Sequence, residues 1–199
     1  MQIKLLVAVF AVALLTVAGC DVMRDATRKP DVPKLLRLAA QGDHWAQNCL
    51  GACYGRGDGV VRNTTEAVKW YRKAAEQGDP LAQVNLGSCY STGTGVLLDM
   101  AEALTWFRKA AAQGEIDALY LLGHCYVNGT GVSPDFIEAY KYFLAAEAVG
   151  PCPVAAFGTW RAELSKQLSA AQMAEAQMRA LQWRADFERS HPQRQDRPK

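Results

Sequence analysis

The chain repeats itself with a fixed step of 36 residues, and that period restricts the folds open to it more than any other feature. "CLGACYGRGDGV" (Cys49–Val60) returns as "NLGSCYSTGTGV" (Asn85–Val96) and again as "LLGHCYVNGTGV" (Leu121–Val132). Gly51, Gly87 and Gly123 share one column, and Tyr54, Tyr90 and Tyr126 share another. Gly59, Gly95 and Gly131 form a third, each followed by valine. Gly42, Gly78, Gly114 and Gly150 keep the same step, so Leu35–Asp43 reads as the second half of an incomplete unit. Units of this length are single supersecondary elements that bury their apolar faces by stacking on one another.

Each unit reads as two helices. Ala46, Leu50, Cys53 and Tyr54 fall on one helical face. Gly51 sits at its edge, where a glycine costs up to ~1 kcal/mol against alanine; its return in every unit predicts close approach of a neighbouring helix. The glycines of "GRGDGV" predict backbone angles that other residues avoid. They do not form a phosphate cradle, because a helix and not a strand precedes them. Asn63 with Glu66, Asp99 with Glu102, and Asp135 with Glu138 predict reciprocal capping boxes at the second helix. Its buried face is Ala67, Trp70, Tyr71, Ala74 and Ala75; then Ala103, Trp106, Phe107, Ala110 and Ala111; then Ala139, Tyr142, Phe143 and Ala146. Gly78, Gly114 and Gly150 suit the left-handed position just past a helix end.

The pattern A-x-x-x-L-G-x-x-Y-x-x-G-x-G-V…A-x-x-W-(Y/F)-x-K-A-A-x-Q-G resembles the Sel-1-like repeat, a relative of the tetratricopeptide repeat, over residues 35–150. The resemblance implies an all-α, right-handed α/α solenoid of stacked helix pairs, a tetratricopeptide-like superhelix. "LSAAQMAEAQMRALQW" (Leu168–Trp183) resembles the closing helix of bacterial members, with Ser169 and Gln172 spaced as a capping box. The expected organisation is a half-repeat at 34–43, repeats at 46–81, 82–117 and 118–150, C-terminal capping helices within 151–190 and a disordered tail at 191–199.

The N-terminus follows a different plan. "MQIKLLVAVFAVALLTVAGC" has one cation, Lys4, then an apolar run from Leu5 to Val17. That is the layout of a secretory signal peptide, and the run is short of the ~20 residues needed to span a bilayer. Val17, Ala18 and Gly19 before Cys20 resemble the bacterial lipobox, which implies a signal peptide at 1–19 and lipidation (palmitate among the chains) of Cys20. Residues 20–33, polar and proline-punctuated, read as a tether. Asp21 resembles the inner-membrane retention signal; the outer membrane stays open.

A net charge of +2 with no cationic run excludes a nucleic-acid footprint. The histidines, His44, His124 and His191, lie in different units, and the carboxylates recur with the repeat. A catalytic site needs a constellation that does not repeat, and none shows; no metal or other cofactor is implied. Cys53, Cys89 and Cys125 share a column, but equivalent atoms of stacked helices lie about 10 Å apart, beyond the ~7 Å that a disulfide allows. They read as small buried hydrophobes. In cysteine-rich relatives the pairing cysteine sits where this chain has Ala74, Ala75, Ala110 and Ala111. Cys49 and Cys152 have no evident partner, so five thiols should be free after lipidation.

The function expected is that of a non-enzymatic, monomeric scaffold in the cell envelope, facing the periplasm, that binds another protein or peptide through its concave face. Positions two residues off the buried face of a helix turn about 200° away. Asn48, Ala52 and Gly55 are therefore expected to face outward, with Val84, Ser88 and Ser91, then Tyr120, His124 and Val127, as counterparts. By resemblance to tetratricopeptide repeats these line the concave groove, with Tyr120 as anchor; the competing reading packs Tyr120 on the next helix. The alternative function is a regulatory or assembly subunit of a signalling or secretion complex acting through its convex face. A β-lactamase-like or other hydrolase, the activity ascribed to some cysteine-rich relatives, ranks last.

Overall fold

The computed structural model describes residues 30–150 and 156–192. The signal peptide, Cys20, Asp21, most of the tether, Cys152 and the last residues lie outside them. Every regular element among the described residues is an α-helix, and the chain divides into two compact units at Ala110.

The first unit contains α1 (Val32–Ala40), α2 (His44–Arg56), α3 (Thr64–Glu76), α4 (Pro80–Thr92) and most of α5 (Met100–Ala112). Helix α1 closes one end: Val32, Leu35 and Ala39 form a cluster with Ala46, Cys49, Leu50 and Cys53 of α2. Helix pairs then stack, α2 against α3 and α3 against α4. The repeated glycine permits the close approach expected of it. A Cβ at Gly51 would stand 2.5 Å from the Tyr71 ring, and one at Gly87 would stand 2.6 Å from Phe107. Of the second-helix faces, Tyr71 and Trp106 are buried while Trp70 is half-buried. Lys73 lies over the Trp70 ring and Lys109 over Trp106, so the aromatic edge is covered by an aliphatic stem and a cation.

The second unit contains α6 (Ile116–Asn128), α7 (Phe136–Val149), α8 (Ala156–Gln167) and α9 (Ala170–Ser190). Gly123 repeats the device, with a Cβ 2.7 Å from the Phe143 ring. Helix α9 packs along α7 and buries Ala176 and Ala180, and Arg179 of α9 pairs with Glu138 of α7. Ser169 and Gln172 form the full capping box at the start of α9.

Two local expectations need correction. The asparagine or aspartate before each second helix does cap it: Asn63 accepts from the Glu66 amide, Asp99 from Glu102 and Asp135 from Glu138. The reciprocal half is taken by a different partner. The N–H of Asn63, Asp99 and Asp135 donates to the carbonyl of Tyr54, Tyr90 and Tyr126, at 2.8, 3.0 and 3.0 Å. With that donor satisfied, Glu66 pairs with Lys69, Glu102 accepts from the Trp106 indole, and Glu138 meets Lys141 and Arg179. Each interhelix loop is thereby closed by a backbone bond that a side-chain pattern does not display. Gly150 is the second correction. Gly78 and Gly114 take positive φ (94° and 73°), whereas Gly150 is extended at φ 170°. Helix α7 runs on to Val149, one residue past the counterpart in α3, because "AVG" has replaced "EQG".

Candidate partner-binding surface

The first helices are packed around almost their whole circumference. In α2 all eight residues from Ala46 to Cys53 are buried, in α4 those from Ala82 to Gly87, and in α6 those from Ala118 to Cys125. The outward placement of Asn48, Ala52, Val84, Tyr120 and His124 is therefore corrected: each is buried, none exposing more than 2%. The physical reason, seen in α2, is that it meets its own second helix α3 on one side and, through Asn48 and Asn85, the next first helix α4 on another. A helix without a polar face is buried all round, and Ala46–Cys53 carries no charge. Gly55, Ser88, Ser91 and Val127, at the C-terminal turns, are half-buried.

Several buried polar groups in the first unit are paired in step with the repeat, while Trp70 Nε1 and the Ser88 hydroxyl are buried without a hydrogen-bond partner. Gln47 donates to the Ala39 carbonyl and Gln83, one period later, to the Ala75 carbonyl, both at 3.2 Å. Asn85 donates to Asn48 between successive first helices. Asp79 caps α4 through the Ala82 amide and meets His44 Nδ1 at 2.8 Å. At the C-terminal turn of α4 the Ser91 and Thr92 hydroxyls both donate to the Ser88 carbonyl, at 3.0 and 2.8 Å.

In the second unit, Tyr120 and His124 belong to an aromatic box. The His124 ring lies 4.4 Å from Tyr120, 4.8 Å from Trp160 and 5.8 Å from Phe143, and neither of its nitrogens has a hydrogen-bond partner. Burial lowers its pKa to about 4. A neutral imidazole here acts as an aromatic filler, and Tyr120 as core.

Cys53, Cys89 and Cys125 are free, and burial raises Cys53 to about 11 and Cys89 to about 12. Held as thiols, Cys53 and Cys89 are poor nucleophiles. Cys49 departs from expectation: it is disulfide-bonded, to a partner outside the described residues. It stands outside the cysteine column, and its counterpart one period on is Asn85. Among the described residues no group of three or more His, Cys, Asp or Glu is placed to hold a metal, and no helix is long and apolar enough to cross a membrane.

Comparison with known proteins agrees with this architecture. The Sel1 repeat family model matches residues 46–79, 80–115 and 116–150. A solved protective antigen present in uropathogenic Escherichia coli strains, displaying an SLR fold, is similar at 31% identity and TM-score 0.73, over 96% of this chain and 40% of its own. A Sel1 repeat protein from Oxalobacter formigenes is similar at 37% identity and TM-score 0.58, over 69% of this chain and 56% of its own. The chain thus spans well under two thirds of the length of either. No curated protein matches it. Sel1 repeat proteins generally serve as non-catalytic scaffolds for protein–protein interaction. With all three repeats matched in tandem from Ala46 to Gly150, the chain belongs to the Sel1 repeat family.

Proposed function

We propose that this protein is a lipid-anchored scaffold of the bacterial cell envelope that binds another protein through the first-helix face of its repeats. One observation carries the choice of surface. The bodies of the first helices are sealed, while their C-terminal turns, at Gly55, Ser88, Ser91 and Val127, stay half-open. Ser91 is small enough for a partner's backbone or side chain to approach closely, whereas Gly55 faces Ala67 and Tyr71 of α3 and the Ser88 hydroxyl is buried.

Anchoring rests on the sequence: Lys4, the apolar run, and Val17-Ala18-Gly19 before Cys20. Lipid on Cys20 would keep the repeats at a membrane surface, and Asp21 favours the inner membrane. Crosslinking in the native cell followed by co-purification tests the reading. It expects one dominant protein partner, lost on Ser91→Arg and kept on Glu76→Lys, an exposed change on α3. The reverse pattern would transfer binding to the second-helix side, as the regulatory-subunit reading requires.

A further inference from the structure

Among the described residues the most exposed large hydrophobic side chains are Val61, at 89%, and Leu97, at 88%; Met178 and Leu181 of α9 and Leu98, beside Leu97, are exposed to 60–66%. Single exposed aliphatics are ordinary. The two most exposed are not scattered: Val61 and Leu97 occupy the same column of successive repeats, in the loop between first and second helix. The two loops belong to one edge of the first unit. The Gly95 loop lies on the start of α3, where a Cβ at Gly95 would collide with the Thr64 carbonyl. The Gly59 loop lies on the chain's entry into α1, where a Cβ at Gly59 would stand 2.9 Å from Val32 Cγ2 and 3.7 Å from the Pro30 carbonyl. The described chain therefore begins at Pro30 on the same edge that carries the exposed aliphatics.

We propose that this loop edge, led by Val61, Leu97 and Leu98, docks on the lipid surface that holds the Cys20 anchor. The inference rests on the lipidation reading. From Cys20 to Pro30 is ten Cα steps, which span at most about 35 Å. A lipid on Cys20 thus keeps the edge close to the bilayer, and tethering supplies the high effective concentration that lets a weak apolar contact form. In sequence the charges flanking these loops balance, with Lys34, Arg56 and Arg62 against Asp31, Asp58 and Asp99. Apolar contact rather than attraction to anionic headgroups holds it, so docking is insensitive to salt.

The test uses the full mature lipoprotein in vesicles of phosphatidylethanolamine and phosphatidylglycerol. A photo-crosslinking phenylalanine analogue replaces Leu97, Val61 or, at the far end of α3, exposed Glu76. The expected result is lipid adducts at positions 97 and 61 at least about tenfold above position 76, unchanged in high salt. Leu97→Asp, made at an exposed site, should leave the melting temperature unchanged and suppress the adduct at position 61. Equal adducts at all three positions overturn the proposal, as do adducts to a second copy, to the chain's own N-terminal segment or to another protein. A mature chain recovered without acyl mass overturns it together with the anchoring reading, whereas an acylated chain lacking lipid adducts overturns the docking alone.

Discussion

The side-chain amide of Asn85 donates to the side-chain oxygen of Asn48 at 2.9 Å, joining successive first helices by a bond buried from water. Their counterparts one repeat on, Val84 and Leu121, are apolar. Asn85→Leu leaves Asn48 buried without its partner, which should cost about 1–3 kcal/mol. Asn48→Val combined with Asn85→Leu should recover most of that loss. Urea denaturation of the single and double variants measures the coupling; additive losses would show that the pair does not act as a unit.

Two glycines in α2 should respond with opposite sign to the same substitution. A Cβ at Gly51 meets the Tyr71 ring at 2.5 Å, so Gly51→Ala should destabilise by about 1–3 kcal/mol. A Cβ at Gly55 meets Ala67 and the Tyr71 hydroxyl at 3.8 Å, ordinary contact. Gly55→Ala should therefore stabilise by roughly 0.5–1 kcal/mol through helix propensity. Thermal melts compare them directly, and a stabilising Gly51→Ala would refute the close approach.

His124 makes stability depend on pH. Its folded pKa of about 4 lies below the ordinary histidine value of 6.5, so the fold favours the neutral ring. The contribution is complete above about pH 6.5 and is lost as the pH falls towards 4, amounting to at most roughly 3 kcal/mol. Burial raises Asp117, which acts in the opposite sense, so the comparison must be between variants. His124→Leu should flatten the loss between pH 7 and 4.5 in chemical denaturation. An unchanged slope would contradict the burial argument.

Much of the fold was legible in the sequence because a repeat reports each constraint several times. The glycine opposite an aromatic recurs as Gly51–Tyr71, Gly87–Phe107 and Gly123–Phe143, and three copies separate a packing need from chance. The surface was less legible. A rotation of about 200° from a buried face reads as outward only when a helix has one neighbour; the first helices have several, and the uncharged run Ala46–Cys53 was the available signal. The Tyr54, Tyr90 and Tyr126 carbonyls that close the loops have no side-chain signature. The Cys49 bridge was illegible for a related reason, since one unrepeated cysteine has no period to compare.

Cysteine chemistry links the fold to the anchor. Cys53, Cys89 and Cys125 are free and Cys49 is bridged. A sulfur in a lipid thioether cannot also join a disulfide, so lipidation of Cys20 and a bridge from Cys20 to Cys49 exclude each other. Thiol counting on the denatured, unreduced mature protein should find the three column cysteines free, with acyl mass on the N-terminal peptide. A peptide joining Cys20 to Cys49 would remove the lipoprotein reading.

Partner binding at the half-open C-terminal turns of the first helices, as proposed, makes Ser91 a contact residue. The most direct measurement is the affinity of the purified partner for Ser91→Arg beside the wild type, with melting temperature as control. The account predicts a loss of about 2 kcal/mol in binding, the scale of an interface hot spot, with the melting temperature nearly unchanged. Full affinity in Ser91→Arg, together with loss of binding in Glu76→Lys, would contradict it.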